Sequence, residues 1–162
     1  MTLTGLEGVY QTLLSLPAEV VSKRGGPVKA ALRKGALVIL KAEKAELAAR
    51  IAEVKKEERP PTGLMEGSLV ATRGKAPTDG KGERYLVRFK RKTYPGRKGK
   101  PTTTLKTAQI YEYGSEKQPA RPFIRTAFAS RAEEAIRTIE RELVAGVDKV
   151  VAKLAAQNRS RG

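Results

Sequence analysis

Residues 111–128 read YEYGSEKQPARPFIRTAF, and this stretch decides how the two halves of the chain are joined. Gly114 ends an aromatic-Glu-aromatic run, because glycine can adopt the left-handed backbone that terminates a strand. Pro119 and Pro122 restrict the backbone to extended geometry and remove two hydrogen-bond donors. Phe123 then offers a large apolar side chain to a core. The stretch predicts a rigid connector that fixes the angle between a sheet and the helix after it.

A long amphipathic helix is predicted after this connector, over residues 130–156. Ser130 and Glu133 have the spacing of a capping box, which marks a helix N-terminus. One apolar stripe follows at spacings of three and four residues: Ala132, Ile136, Ile139, Leu143, Val147, Val150 and Leu154. Residues 158–162 are polar and are predicted to be a frayed tail.

Two helices are predicted in the N-terminal half. Thr4 and Glu7 form another capping box, and Pro17 ends the short amphipathic segment that follows. Pro27 suits the first turn of a second helix, which is predicted over residues 27–58. Its apolar stripe is Leu32, Ala36, Leu40, Leu47, Ile51 and Val54.

Strands are predicted at residues 68–73, 83–92 and 107–113. In the second of these, Tyr85, Val87 and Phe89 lie on one face, and Arg84, Arg88 and Lys90 lie largely on the other, as expected for a strand with one buried face. The order helix, helix, strands, helix predicts an α+β fold with a small antiparallel sheet of three to four strands. The two long helices are expected to pack on that sheet within a single domain, residues 1–162.

The residue inventory argues against catalysis. The 162-residue chain has neither Cys nor His, which removes thiolate nucleophiles, the usual proton shuttle and Cys/His metal sites. No paired carboxylates, phosphate-binding glycine loop or nucleophile elbow occurs at a recognisable spacing. We therefore expect a protein that is not an enzyme, with no catalytic residues, cofactor or metal.

The positive charge is concentrated in one fifth of the chain. Residues 73–106 hold 12 Lys/Arg and 2 Asp/Glu, which gives +10 of the total net charge of +16. Together with the turn-forming residues here, this predicts a basic extended loop or hairpin arm at about 74–106. Six cations are the candidates for contact with a polyanion or a partner: Lys90, Arg91, Lys92, Arg97, Lys98 and Lys100.

The apolar runs are much shorter than the roughly 20 residues that span a bilayer. The N-terminal MTLTGLEG lacks the charged and apolar regions of a signal peptide. We expect no membrane contact, and a protein that acts in the cytoplasm or in something assembled there.

The connector resembles the signature of a neck and tail-completion family of lambdoid, long-tailed phages. In that family an aromatic-Glu-aromatic-Gly turn precedes a Pro-Ala-x-Pro-Phe segment and a C-terminal helix. The matching residues here are Tyr111, Glu112, Tyr113, Gly114, Pro119, Pro122 and Phe123. A second family feature, a Pro-x-Thr-Gly-x-Leu-x-x-Ser type segment, is similar to Pro61–Leu64 followed by Ser68.

The resemblance implies a non-enzymatic structural protein of the virion, at the head–tail junction. It also implies phage connector and tail proteins as partners, and a homo-oligomeric ring of about six copies if the ring follows the symmetry of the tail. The basic arm would then face DNA or a neighbouring ring. A rigid connector is the favoured interpretation of the turn, and the alternative is direct partner contact through exposed Glu112, Glu116 or Lys117.

A second class of function remains open. The high charge, with Tyr85, Phe89 and Tyr94 interleaved among cations, is also compatible with a free, sequence-independent nucleic-acid-binding protein. The outer helices are almost charge-balanced, however, and the pattern of a known nucleic-acid-binding module is not evident.

Overall fold

The computed structural model describes residues 26–54, 62–75, 82–94 and 101–159. Its elements are α1 (Pro27–Val54), a 3-10 turn (Glu66–Ser68), β1 (Leu69–Arg73), β2 (Tyr85–Phe89), α2 (Thr104–Tyr113) and α3 (Ile124–Arg159). This confirms the α+β class. The helix predicted after Thr4 and the end of the helix predicted over 27–58 lie outside the described residues.

Helices α1 and α3 pack against each other in antiparallel directions. Gly35 lies against Ala135 and Ile139, and Gly146 lies against Pro27 at the start of α1. The numbering therefore rises along one helix as it falls along the other. From this point α3 continues for 13 residues, about 20 Å at 1.5 Å per residue, beyond the described start of α1.

The predicted stripe of α1 is confirmed at Leu47 and Ile51, but it differs from the buried face in the first half of the helix. Every fourth position is buried, in the series Ala31, Gly35, Ile39, Glu43, Leu47 and Ile51. The predicted Leu32, Ala36 and Leu40 are only half-buried. Four residues turn a helix by about 400°, so this series drifts by about 40° per step. Because of this drift, the buried stripe faces α3 in the first part of α1 and faces the sheet in the last part.

The sheet has two strands in the described residues, rather than three or four. β1 and β2 are antiparallel, with Leu69 opposite Phe89 and Arg73 opposite Tyr85. Both strands contact α1. Tyr85, Val87 and Phe89 are half-buried or buried, whereas the residues between them are exposed, which confirms the predicted alternation.

The third predicted strand, residues 107–113, is wrong, because these residues belong to helix α2. Its buried residues are Thr104, Ala108 and Glu112, four apart, which is the spacing of a helix face. Thr103 is the N-cap, and its Oγ1 accepts a hydrogen bond from the Lys106 backbone N–H at 3.4 Å. A cap immediately before the segment favours helix over strand.

The predicted start of α3 at Ser130 is also wrong. The helix begins at Ile124, and Ser130 lies within it, donating from Oγ to the carbonyl of Ala127 at 3.0 Å. The residue that caps α3 is Glu112, which lies in α2 and is therefore invisible to a local capping pattern.

The basic segment after β2 returns towards the sheet before α2 begins. Tyr94 N–H donates to the Thr102 carbonyl at 3.0 Å, and Thr104 N–H donates to the Lys92 carbonyl at 2.9 Å. Backbone pairing of this kind is typical of a hairpin. Residues 95–100 lie outside the described residues.

One core cluster joins all of these elements: Leu47, Ile51, Met65, Leu69, Phe89, Ala108 and Phe123. Phe89 and Phe123 meet edge to face, with ring centroids 6.0 Å apart and planes at 82°. Phe123 is fully buried. The connector is therefore anchored in the core, as predicted.

We expect Gly35→Ala to lower the free energy of unfolding by about 1 kcal/mol. A Cβ at this position would lie 2.7 Å from Ile139 Cδ1 and 3.2 Å from the Ala135 carbonyl oxygen. Overpacking costs about 1–3 kcal/mol, and the better helix propensity of alanine offsets up to about 1 kcal/mol of it. Urea unfolding followed by circular dichroism measures the difference.

Gly67→Ala is the control for this prediction, because a Cβ there has nothing within 4 Å. The closest atom to the added Cβ is Ile139 Cγ1, so the double variant Gly35→Ala/Ile139→Ala, which removes both Cγ1 and Cδ1, should lose less stability than the sum of the two single variants. Equal stability of the Gly35 and Gly67 variants would contradict the close packing of α1 on α3.

Candidate functional site

The N-terminus of α3 is held by a buried carboxylate from α2. Glu112 Oε2 accepts hydrogen bonds from the backbone N–H groups of Phe123 and Ile124, each at 2.9 Å. Its Oε1 accepts from the Arg125 N–H at 3.2 Å. The first N–H groups of a helix lack partners within the helix, and its dipole favours an anion there. Glu112 is only 4% exposed, so this cap lies inside the protein.

Arg125 reinforces the same joint from the surface. Its Nη2 donates to the Glu112 backbone carbonyl at 2.7 Å, and its Nε lies 3.3 Å from Glu112 Oε1. Its guanidinium carbon also lies 5.5 Å from the centre of the Tyr113 ring, in cation–π geometry. Tyr113 is 73% exposed. One arginine therefore links the end of α2, the start of α3 and an exposed aromatic ring.

The backbone between the two helices is closed by hydrogen bonds of its own. Gly114 has φ +81°, and its N–H donates to the Ile110 carbonyl at 2.8 Å, which ends α2. Ser115 and Gln118 exchange backbone hydrogen bonds across a tight turn. Arg121 N–H then donates to the Tyr111 carbonyl at 2.7 Å. A Cβ at Gly114 would lie 2.9 Å from the Ala120 nitrogen, so the turn also depends on glycine for space.

A second buried carboxylate, Glu43, lies on the buried face of α1. It is 4% exposed. Burial first, and the negative charge of Glu112 second, together raise the pKa of Glu43 from 4.5 to about 7. The joint therefore brings together one carboxylate that accepts three backbone hydrogen bonds and another that holds its proton towards neutral pH.

The structure assigns different roles to the residues predicted for the turn. Glu112 is not exposed, so direct partner contact through its side chain is contradicted. Glu116 and Lys117 are exposed at the tip of the turn, as predicted. Gly114 has the predicted positive φ, but it ends a helix rather than a strand. Among the remaining predicted turn residues, Tyr111 and Pro122 are half-buried and Pro119 is exposed.

The predicted polyanion-contact residues are described only in part. Lys90, Arg91 and Lys92 are all exposed and follow β2 directly. Arg97, Lys98 and Lys100 lie outside the described residues. The structure therefore brings three of the six cations together on one segment.

Further cations lie on the outward face of β2. Arg84 and Arg88 are exposed, with the 41%-exposed Leu86 between them. Arg88 Nε donates to Thr72 Oγ1 on the neighbouring strand at 3.0 Å, which orients its guanidinium on this face. The sequence placed these arginines on the outer face of a strand but did not include them among the site residues.

Glu43 and Arg125 were missed by the sequence analysis. A signal existed for Glu43, because it falls in the four-residue series of Ala31, Ile39 and Leu47. Reading α1 in that phase would have placed a charge on the buried face. Arg125 carries no local signal, because its partners lie across the turn.

In the described ranges, no group of three or more acidic side chains is arranged to hold a metal ion. None of the helices described is long and apolar enough to cross a bilayer. Comparison of the chain with protein-family models, with curated proteins and with solved structures gave no match.

Proposed function

We propose that this chain is a non-enzymatic structural protein of a tailed-phage virion. Its place would be at the head–tail junction, as a neck or tail-completion component in a homo-oligomeric ring, hexameric if it follows the tail. Connector and tail proteins would be its partners. The motifs described above suggest this class, and the geometry of the joint supports it.

The supporting observation is that both motif segments meet in one core. Met65 and Leu69, at the end of the Thr-Gly segment, pack in the same cluster as Phe123 from the connector. Ser68 is buried and donates to the Met65 carbonyl at 2.8 Å. The polar groups of the connector are used to hold α3 in place. A ring subunit must hold its elements at fixed angles to one another, and residues that set the direction of a long helix suit that requirement.

The surface of α3 supports an assembly role as well. Its last 13 residues extend past the described start of α1. Val144 and Val151 are 61% and 55% exposed on this helix. Of the two, Val151 lies in the part that extends past α1, where its apolar side chain would be available to a neighbouring subunit. The strong positive charge opposes self-association of the isolated chain, so ring closure would depend on partners that neutralise it.

Gold labelling tests the location. A phage that carries an affinity tag at the C-terminus of this chain should bind gold at a single position, between head and tail. Particles produced without the chain should accumulate as separate heads and tails, and a plasmid copy should restore joining. Label that is missing from purified virions, with normal particles made in the absence of the chain, would reject the proposal.

A free nucleic-acid-binding protein is the second candidate, and the exposed cations on and after β2 favour it. The same labelling experiment separates the two. A free binding protein would stay in the lysate and would be dispensable for joining heads to tails.

A further inference from the structure

We propose that the outward face of β2 and the residues after it bind the phosphate backbone of double-stranded DNA, without reading its sequence. The cationic strand surface consists of Arg84, Arg88, Lys90, Arg91 and Lys92. The inference deepens the proposed function and rests on it for its biological setting, since DNA passes through the head–tail junction. Its physical basis is independent and can be measured on the isolated protein.

The first argument is geometric. In β2 the inward positions are Tyr85, Val87 and Phe89, which places Arg84 and Arg88 on the opposite face. Lys90 lies on the same face as Arg84 and Arg88, because its N–H still pairs with the Ser68 carbonyl at 2.8 Å and the backbone remains extended there. At 3.3 Å per residue, residues 84 to 90 extend over about 20 Å. Arg84, Arg88 and Lys90 therefore lie along one face, with Leu86 between the two arginines, and the exposed Arg91 and Lys92 continue from them.

The second argument is the local excess of charge. Glu83 is the only acidic residue in the range 82–94, and Arg73 on β1 already pairs with it. Within the described part of the chain, none of the five cations of this surface forms an ion pair. In contrast, Arg131 and Arg137 on α3 pair with carboxylates one turn away.

The third argument concerns the chemistry of the partner. A protein interface usually has an apolar or aromatic centre that supplies most of its affinity. Here Leu86 is the one large apolar side chain exposed on β2. Phosphate contacts need only long cationic side chains, because most of their affinity comes from the release of counterions. The surface therefore fits a phosphate backbone better than an acidic protein.

Fluorescence anisotropy with a random-sequence DNA duplex tests the proposal. The probe is a labelled 30-base-pair duplex, titrated with the full chain over a range of salt concentrations. Five phosphate contacts contribute a slope of about −4.5 to the plot of log K against log salt. The factor that these five contacts contribute to the binding constant should fall about 500-fold between 50 and 200 mM salt.

The test variant replaces all five cations of the surface with glutamine. Its control replaces five exposed cations elsewhere, Arg33, Lys41, Lys44, Lys149 and Lys153, with glutamine, so that the two variants have the same net charge. We expect the test variant to bind at least about 100-fold more weakly at 50 mM salt, with a slope shallower by about 4. The control should keep the slope of the natural chain to within about 1.

Each other outcome overturns the proposal. Equal losses of affinity in the two variants would mean that binding to the duplex depends only on the total charge of the protein. An unchanged slope in the test variant, with its circular dichroism unaltered, would mean that these cations do not contact phosphate. Tighter binding to poly-glutamate than to the duplex would identify an acidic protein as the partner. Because the assay uses no virions, its failure leaves the location of the chain untouched, and a failed labelling experiment leaves the DNA contact standing.

Discussion

Glu112→Ala is expected to lower the free energy of unfolding by about 3 kcal/mol, because three backbone N–H groups at the start of α3 lose their acceptor. Each buried donor left without a partner costs about 1–3 kcal/mol. Relief of the repulsion between Glu112 and Glu43 offsets part of this cost. Glu112→Gln retains one acceptor oxygen and should lose about half as much. Urea unfolding at neutral pH, followed by circular dichroism, measures both variants.

Glu116→Ala is the matched control, since Glu116 is a glutamate of the same connector with an exposed side chain. Its effect should stay within about 0.5 kcal/mol. A second readout is specific to the cap: hydrogen exchange of the Ile124 and Arg125 amides should accelerate in Glu112→Ala more than exchange in α1. Equal stability of the two alanine variants would show that Glu112 does not cap α3.

The second large effect is a pH-dependent gain in stability from Glu43→Gln. The pKa of Glu43 is raised from 4.5 to about 7 in the folded protein, by burial first and by the charge of Glu112 second. Between these values the folded chain holds a proton that the unfolded chain has released. The contribution of Glu43 to stability is therefore full below about pH 4.5 and is lost as the pH rises through about 7.

Glutamine removes this loss of stability, because its side chain does not ionise between about pH 4 and about pH 9. At about pH 4 the variant and the natural chain should be similarly stable, because both then carry a neutral group at residue 43. At about pH 9 the variant should be more stable by an amount on the order of 3 kcal/mol, since each pKa unit corresponds to 1.36 kcal/mol. Chemical unfolding at a series of pH values gives this difference directly.

The comparison must be made between variants, because other carboxylates also titrate in this range. Glu133→Gln serves as the surface control, with a side chain that is 85% exposed. The double variant Glu43→Gln/Glu112→Gln measures the coupling between the two carboxylates. If the advantage of Glu43→Gln does not grow with pH, residue 43 is not a buried acid that holds its proton.

A local, periodic signal was sufficient in β2, but not in α1, where the predicted stripe included the half-buried Leu32, Ala36 and Leu40. The alternation of Tyr85, Val87 and Phe89 fixed the inward face of β2, and Phe123 was correctly expected to dock in the core. The α+β class followed from the order of these patterns. In each case, the physical preference of a residue depends on neighbours within a few positions.

One error arose where a distant residue decides the local structure, and the others arose where a local signal was overlooked. Ser130 and Glu133 have good capping chemistry, yet α3 starts earlier because Glu112 supplies a stronger cap from another helix. Residues 107–113 contain the aromatic and β-branched types typical of strands, but the cap at Thr103 and the hydrogen bond from Gly114 N–H to the Ile110 carbonyl belong to a helix. Glu43 could have been placed by the phase of α1, whereas its interaction with Glu112 required the fold.

Because α3 is long, a small change of angle at its first turn corresponds to a large displacement of its last turn. The helix has 36 residues, so it extends about 54 Å from the carboxylate that holds its first turn. A tilt of 1° about Glu112 corresponds to about 1 Å at the far end of a free helix. Helix α3 is also held by α1, however, where Ile139 lies against Gly35 and Gly146 lies against Pro27. The direction of α3 is therefore set jointly by the carboxylate at its first turn and by its packing on α1.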